Sequence, residues 1–395
     1  MDIQIETRLE KFNCFLSKSI RFGERGFYLL FIEGFPPRET SMNVYETQLK
    51  KVSALAECEV VLLTDNKNGV KASIAPHSGG ELSSLQILWQ REWCETIYRA
   101  NDFRPADGWR GRAPTLWPAV GRNYTNEQLR QIKQNKQSDV SLGSYLIGNQ
   151  KYPMPDHGFV MDRPWTLNDY GHDASKAWAQ CATQSDEFTR QYYPFDFTLS
   201  VTYTLAAGAL SIQYRVTPQF SIERNSTSFT DTQAMFFSIG NHITFKLPFN
   251  PQGSYVETVL SAPTKQQLEL TPESLLSGDA LEKDLTQGVS LNDESLYDMV
   301  ISGFERDNIW VRIVDPNAFG FQISQRGWVE KSRDTVELPP SDYYFVFYGI
   351  PETGLFCPEP WVGGPNSLNT KEGVVWLHED EQFEWVVQVE LLRDY

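Results

Sequence analysis

Four short segments carry the side chains that could move a proton or hold a polar ligand. Pro155-Asp156-His157-Gly158-Phe159-Val160-Met161-Asp162-Arg163 sets an imidazole beside a glycine and three charged groups. Imidazole gains or loses a proton near neutrality, and glycine lets the backbone turn or a ligand approach closely. The competing reading is a surface loop with an ordinary histidine. Gly240-Asn241-His242 closes a run of β-forming residues, at the kind of strand end where sites are built. A histidine satisfied by a backbone carbonyl is the alternative there. In Cys357-Pro358-Glu359-Pro360-Trp361, two prolines fix φ on either side of a carboxylate and an indole supplies an apolar face. A carboxyl held and desolvated in this way has its pKa raised toward that of a useful base; alone, Glu359 would be an exposed residue of a proline-rich loop. Arg112 and Arg122 lie on a stretch stiffened by Gly111, Pro114, Pro118 and Gly121. Each could donate forked hydrogen bonds to hydroxyls, a ring oxygen or a phosphate. Each could equally sit in a structural ion pair, and Arg122 is read that way.

These segments need a scaffold, and its signals are mostly β. Phe197, Leu199, Val201, Tyr203 and Leu205 alternate with polar residues, and the alternation resumes at Leu210, Ile212, Tyr214 and Val216. This is a hairpin with one buried face. The same period runs through Ile309, Val311, Ile313, Phe321 and Ile323, and through Phe383, Trp385, Val387, Val389 and Leu391. Glu59–Leu63, Gly69–Ala75 and Leu82–Trp89 also read as strands, the last two separated by the turn composition Pro76-His77-Ser78-Gly79-Gly80. Helical signals are few: a short helix over Val44–Ala56, and an amphipathic one over Asn126–Asn135 after the N-cap residue Thr125. Acidic stretches from Glu273 to Glu294 read as loops. With no internal repeat and no interdomain linker, the expectation is an all-β fold, a single large antiparallel sandwich over residues 42–395. Residues 1–41 show no sustained pattern and read as an N-terminal extension.

Composition narrows the function classes. The 395 residues carry a net charge of −16, which repels phosphate backbones and excludes a nucleic-acid partner. Five scattered cysteines form no C-x-x-C pair, so reduced, buried thiols are expected rather than zinc or redox motifs. The apolar run Phe27–Ile32 is too short to span a bilayer and lies too far from the start for an ordinary leader. The expectations are no membrane partner and a cytoplasmic location. His77, His172 and His378 lack a comparable frame and are given no role.

Taken in order, these segments resemble the aldose 1-epimerase (galactose mutarotase) family. Gly111-Arg112-x-Pro114 with Trp117-Pro118 and Gly121-Arg122 is similar to the segment after the family's opening strands. His157-Gly158-Phe159 is similar to its H-G-F motif, Gly240-Asn241-His242-x-x-Phe245 to its G-x-H-x-x-F motif, and Glu359-Pro360-Trp361 to its E-P-W motif. Gly79-Gly80-Glu81-Leu82 fits its early small-residue turn. The resemblance implies a galactose mutarotase-like β-supersandwich with a sugar cleft on a large antiparallel sheet, and interconversion of the α and β anomers of an aldose. It further implies His242 as general acid, Glu359 as general base, and His157 and Arg112 as groups that hold the monosaccharide. One position departs: where H-G-F members often continue Ala-Arg-Asp, this chain has Val160-Met161-Asp162, which bears on substrate identity.

Ring opening takes a proton from the C1 hydroxyl and gives one to the ring oxygen, so one base and one acid suffice, with neither metal nor redox cofactor. His242 would have to be protonated at the start, and a nearby negative charge, with Glu359 the candidate, is expected to hold its pKa up. Trp361 offers an apolar face to a pyranose. Two alternatives remain on the sequence. Asp156 or Asp162 with Glu359 could form the carboxyl pair of a glycoside hydrolase, and a non-catalytic sandwich could bind sugar through Arg112, His157 and Trp361. Whether the sugar is free or 6-phosphorylated stays open.

Overall fold

The computed structural model describes residues 5–6, 19–20, 43–51, 58–99, 111–135, 142–219 and 234–393. The chain divides into two units, Met1–Asn43 and Val44–Tyr395. In the first, Ile5–Glu6 and Ser19–Ile20 pair antiparallel; the rest of the expected extension 1–41, with its apolar run Phe27–Ile32, lies outside the described residues.

The second unit is built on the hairpin that the alternation marks. Phe197–Ala206 and Ala209–Pro218 pair residue for residue from Phe197↔Pro218 to Ala206↔Ala209. Only Ala207 and Gly208 lie between them, both at positive φ, as a tight two-residue hairpin loop requires. The strain at Ala207 is held by its N–H donating to the Tyr45 hydroxyl and by the Gly208 N–H donating to Asp65, both at 2.9 Å. Around this hairpin grows a ten-stranded sheet in which Gln382–Leu392 pairs with both Ala209–Pro218 and Gly320–Lys331.

An eight-stranded antiparallel sheet runs from Leu276–Glu282 through Gln266–Leu270, Met299–Ser302, Tyr343–Ile350, Leu355–Val362 and Ile239–Asn241 to Thr115–Leu116. Its inner face packs on that of the ten-stranded sheet. Phe245 stacks on Phe321 (centroids 5.0 Å apart) and Asn241 donates to the Tyr214 hydroxyl at 2.7 Å; beside them Phe237, on the separate pair Met235–Phe237 with Val375–Leu377, meets Phe383 edge-on. The core is therefore a layer of aromatics between two sheets, the arrangement expected of inward-facing residues at period two. A five-stranded sheet, Tyr45–Lys51 to Glu92–Glu95, and two two-stranded pairs, one of them Leu142–Ile147 with Gln150–Pro155, belong to the same unit. This is the all-β architecture of packed antiparallel sheets expected from the sequence.

Two local expectations are overturned. Tyr45–Lys51 is a strand antiparallel to Glu59–Asp65, where a helix over Val44–Ala56 was expected; residues 52–57 lie outside the described residues. It is an edge strand whose outer residues face water, so its Gln and Lys side chains mask the period. Likewise Leu276–Glu282, read as acidic loop, is the edge strand of the eight-stranded sheet and is exposed almost throughout. The helix Asn126–Asn135 is as expected, with Thr125 Oγ1 accepting from the Gln128 N–H at 3.3 Å. Among the described residues, no helix is long and apolar enough to cross a membrane.

Candidate active site

The central strand Leu355–Val362 lies between Tyr343–Ile350 and Ile239–Asn241. Its two-residue period sends Phe356 and Val362 into the main core and turns Cys357, Glu359 and Trp361 to the opposite face. There Glu359 and Trp361 line a cavity of about 790 Å³. Gly240 pairs with Trp361, and a Cβ at Gly240 would lie 2.6 Å from the indole. Glycine at 240 is thus what lets the indole lie flat across the neighbouring strand. His242 leaves the end of that strand with its N–H donating to the Pro114 carbonyl at 3.0 Å. Its Nε2 stands 3.2 Å from Glu359 Oε1, and both side chains are nearly closed to solvent, 10% and 3% exposed.

His157 comes from the opposite wall. It sits at φ +61 in the turn after Gln150–Pro155, with its backbone N–H on the Gly121 carbonyl at 3.3 Å. Gly158 follows at φ +78, and a Cβ there would lie 2.1 Å from the Trp117 carbonyl oxygen. Only glycine allows that approach, which locks the histidine turn onto the 111–123 segment. The Gly121 N–H donates to His157 Nδ1 at 3.1 Å, so the neutral ring carries its proton on Nε2. The His157 ring meets Trp361 edge-on at 5.6 Å and His242 at 5.8 Å. Four expected site residues, His157, His242, Glu359 and Trp361, therefore converge on one cavity.

Electrostatically the floor disfavours charge. Burial pushes the Glu359 carboxyl well above its ordinary 4.5, opposed by Trp361 Nε1–H, which donates to Oε2 at 3.2 Å. Burial, then the neighbouring His157, depresses His242 from 6.5 to about 3. The expectation that Glu359 would hold the imidazole charged is corrected here: desolvation outweighs the attraction and favours the uncharged form of both partners. His157 is lowered by burial and by Arg122, against Asp156.

Of the two arginines, Arg122 makes the ion pair expected of it and also lines the cavity, and Arg112 lies apart from the cavity. Arg112, expected on the ligand, is not among the cavity-lining residues; it pairs with Glu81, and both side chains are buried, 9% and 3% exposed. Burial lifts Glu81 to about 7 even against this guanidinium, and Ser78 Oγ donates to it at 3.1 Å. Arg122, read as a structural ion pair, lines the cavity with its Nε 3.6 Å from Asp156. Met161 also lines it, while Arg163 turns away to pair with Asp186 across the Phe188 ring. Sequence reasoning passed over Asp298, Tyr348 and Thr271, which line the same cavity from three further segments of the eight-stranded sheet. Asp298 stands at φ +58 just before Met299–Ser302, and burial raises its carboxyl. No local pattern marks it beyond an acidic residue entering a strand.

A carboxyl and an imidazole 3.2 Å apart at the base of an open cavity are placed to exchange a proton, and the cavity has room for a small polyhydroxylated ligand. Comparisons with known proteins bear on the family and the fold. The family model described as aldose 1-epimerase matches residues 60–381. A galactose mutarotase-like protein from Clostridium acetobutylicum superposes with a TM-score of 0.66 at 17% identity, covering 88% of this chain and 99% of that one. A galactose 1-epimerase from Lactobacillus acidophilus NCFM does so with a TM-score of 0.57 at 13% identity, over 89% and 99%. At those identities the likeness is one of fold. A Salmonella typhimurium protein, described provisionally as a glucose-6-phosphate 1-epimerase, is 41% identical over 46 residues, 12% of this chain and 16% of that relative's length.

Proposed function

The chain belongs to the aldose 1-epimerase family, and from that premise we propose that it interconverts the α and β anomers of an unphosphorylated aldohexose by acid–base ring opening and reclosure. The observation that carries the reading is the 3.2 Å separation of His242 Nε2 and Glu359 Oε1 at the cavity floor.

Glu359 takes the C1 hydroxyl proton as the C1–O5 bond breaks, and His242 delivers its Nε2 proton to O5. Rotation about C1–C2 turns the aldehyde, and both transfers reverse. The pair begins and ends with one proton, so the site's charge does not change over the cycle. Burial places that proton on Glu359 at rest, and a shift across 3.2 Å to His242 prepares the acid and the base together. The Trp361 Nε1–H then remains as a fixed donor to the carboxylate. His157, with its proton on Nε2, is a neutral donor for a sugar hydroxyl, and Trp361 supplies the apolar face. Each of the two proton transfers contributes about 10²–10⁴ in rate.

An uncharged sugar suits the wall chemistry. Among the described residues the cavity is lined by Asp156, Asp162, Asp298 and Glu359 against one guanidinium, Arg122, which already leans on Asp156. A phosphate would meet more carboxyls than cations. The test is anomer exchange by NMR or polarimetry over a panel of free and 6-phosphorylated aldoses. Acceleration of free sugars supports the reading, acceleration only of phosphorylated ones transfers it to that class, and no acceleration leaves a sugar-binding sandwich without catalysis.

A further inference from the structure

The catalytic floor holds a third donor atom that proton transfer does not use. Cys357 lies two residues before Glu359 on the strand Leu355–Val362, so the two side chains share a face. His242 comes from the segment following Ile239–Asn241, which pairs with the same strand. One ligand atom from each of the three residues lies within 4.8 Å of the other two, and all three residues are buried.

We propose that His242, Cys357 and Glu359 form a three-ligand site for a borderline-soft divalent cation such as Zn²⁺, and that a cation bound there blocks the acid–base pair. Zinc takes nitrogen and oxygen at about 2.0–2.2 Å and sulfur at about 2.3 Å in a tetrahedron, which sets ligand atoms about 3.3–3.7 Å apart. The imidazole and carboxylate are already at 3.2 Å and the thiol lies within 4.8 Å of both, so closing the site requires an inward turn of the thiol. That turn releases one weak contact, Cys357 Sγ to Thr244 Oγ1 at 3.5 Å, and Thr244 keeps its bond to the His242 carbonyl at 3.1 Å. His242 and Glu359 themselves line the cavity, from which water can supply the fourth ligand. A mixed N, S and O donor set favours zinc over magnesium or calcium, which prefer all-oxygen cages.

The charge balance also fits a buried position. Binding displaces the thiol proton and the single proton of the His242–Glu359 pair, so two protons leave as two positive charges enter. The complex of one thiolate, one carboxylate, one neutral imidazole and Zn²⁺ is then neutral, without the cost of an isolated buried charge. With both lone pairs committed to the metal, neither group can exchange a proton with a sugar. The cation is an inhibitor and not a cofactor. Only the inhibition rests on the proposed reaction; the site itself rests on the three side chains.

The experiment uses the full-length chain stripped by a chelator. Zinc sulfate is titrated by calorimetry into the wild type and into Cys357→Ala, and cobalt(II) is added to both while the near-ultraviolet spectrum is recorded. The wild type is expected to bind one more equivalent of zinc than Cys357→Ala and to show a thiolate-to-cobalt charge-transfer band that the variant lacks. Equal zinc stoichiometry and affinity in the two proteins, or a cobalt complex without the band, overturns the proposal. Cys357→Val, which fills the space with an apolar side chain, replaces the alanine variant if the latter loses cooperative melting. Neither readout needs turnover, so their failure is distinct from failure of the epimerase reading. Where anomer exchange is measurable, zinc is expected to slow the wild type at least tenfold more than the Cys357 variant, with recovery on adding the chelator.

Discussion

His242 Nε2, just past the end of the strand Ile239–Asn241, lies 3.2 Å from Glu359 Oε1 on the neighbouring strand Leu355–Val362, and burial acts on the two in opposite directions, lowering the imidazole and raising the carboxyl. One proton is therefore shared over a wide pH range. A second proton joins only near the depressed value of His242, about 3, and the last one leaves only above the raised value of Glu359. Because the two groups titrate as a unit, the limits belong to the pair. Independent groups at their ordinary values, 4.5 and 6.5, would instead confine the active form to the interval between them. The kcat profile of the chelator-treated enzyme is expected to be a broad plateau with its acid limb near pH 3. A narrow bell centred between the ordinary values would show that the pair is not coupled.

The Arg112–Glu81 pair leads to a stability prediction rather than a kinetic one. Both side chains are buried, so removing Arg112 loses the pair and leaves a buried carboxyl, already lifted to about 7 by burial, that must take up a proton. Arg112→Ala is expected to cost about 3–5 kcal/mol of stability. Arg112→Met combined with Glu81→Gln should cost less than Arg112→Ala alone, since no buried carboxyl is left over. Thermal melts and urea titrations measure both. A folded Arg112→Ala protein with unchanged melting and a raised KM would restore Arg112 to the ligand.

How much of this was legible in the sequence depended on whether a residue's role was set by its neighbours in the chain. Phe197 to Val216 announced themselves because one face of a central hairpin is buried along its whole length. Tyr45–Lys51 and Leu276–Glu282 did not, because an edge strand exposed to water has no buried face to impose a period. In the site, Glu359, His242 and His157 stood out through flanking prolines and glycines whose backbone roles are local. Arg112 was expected on the ligand, and nothing near it in the chain pointed elsewhere, because its partner, Glu81, is a distant carboxylate whose approach only the tertiary fold determines. Asp298 reaches the cavity through a turn at positive φ in an acidic stretch and left no local mark.

Arg122 and Met161 line the same cavity and carry the specificity prediction. If Arg122 grips sugar hydroxyls from the rim, Arg122→Ala should raise KM several-fold while kcat changes little, the pattern for loss of uniform binding. Met161→Arg places a second guanidinium opposite the cavity carboxylates and is expected to shift preference toward 6-phosphorylated aldoses. Substrate panels run on the parent and the variant decide this. Identical panels would mean that position 161 is neutral for recognition.

The strongest demand falls on the shared proton itself. Glu359→Gln preserves size and the Trp361 contact but cannot accept a proton, and His242→Asn cannot deliver one. Each is expected to lower kcat by about 10² or more, about 2.7 kcal/mol in the barrier, with smaller changes in sugar affinity. Removing either partner disables the same two-proton event, so the double variant should lose much less than the product of the single losses. Sugar affinity measured by titration keeps a binding defect from passing as a chemical one, because His157 and Trp361 remain in place in all three proteins. A double variant whose loss equals that product would mean that the two residues act in separate steps. A Glu359→Gln enzyme exchanging anomers at the parent rate would take the base away from Glu359 and leave Asp298, the carboxyl nearest the start of the adjoining sheet strand Met299–Ser302, as the next residue to substitute.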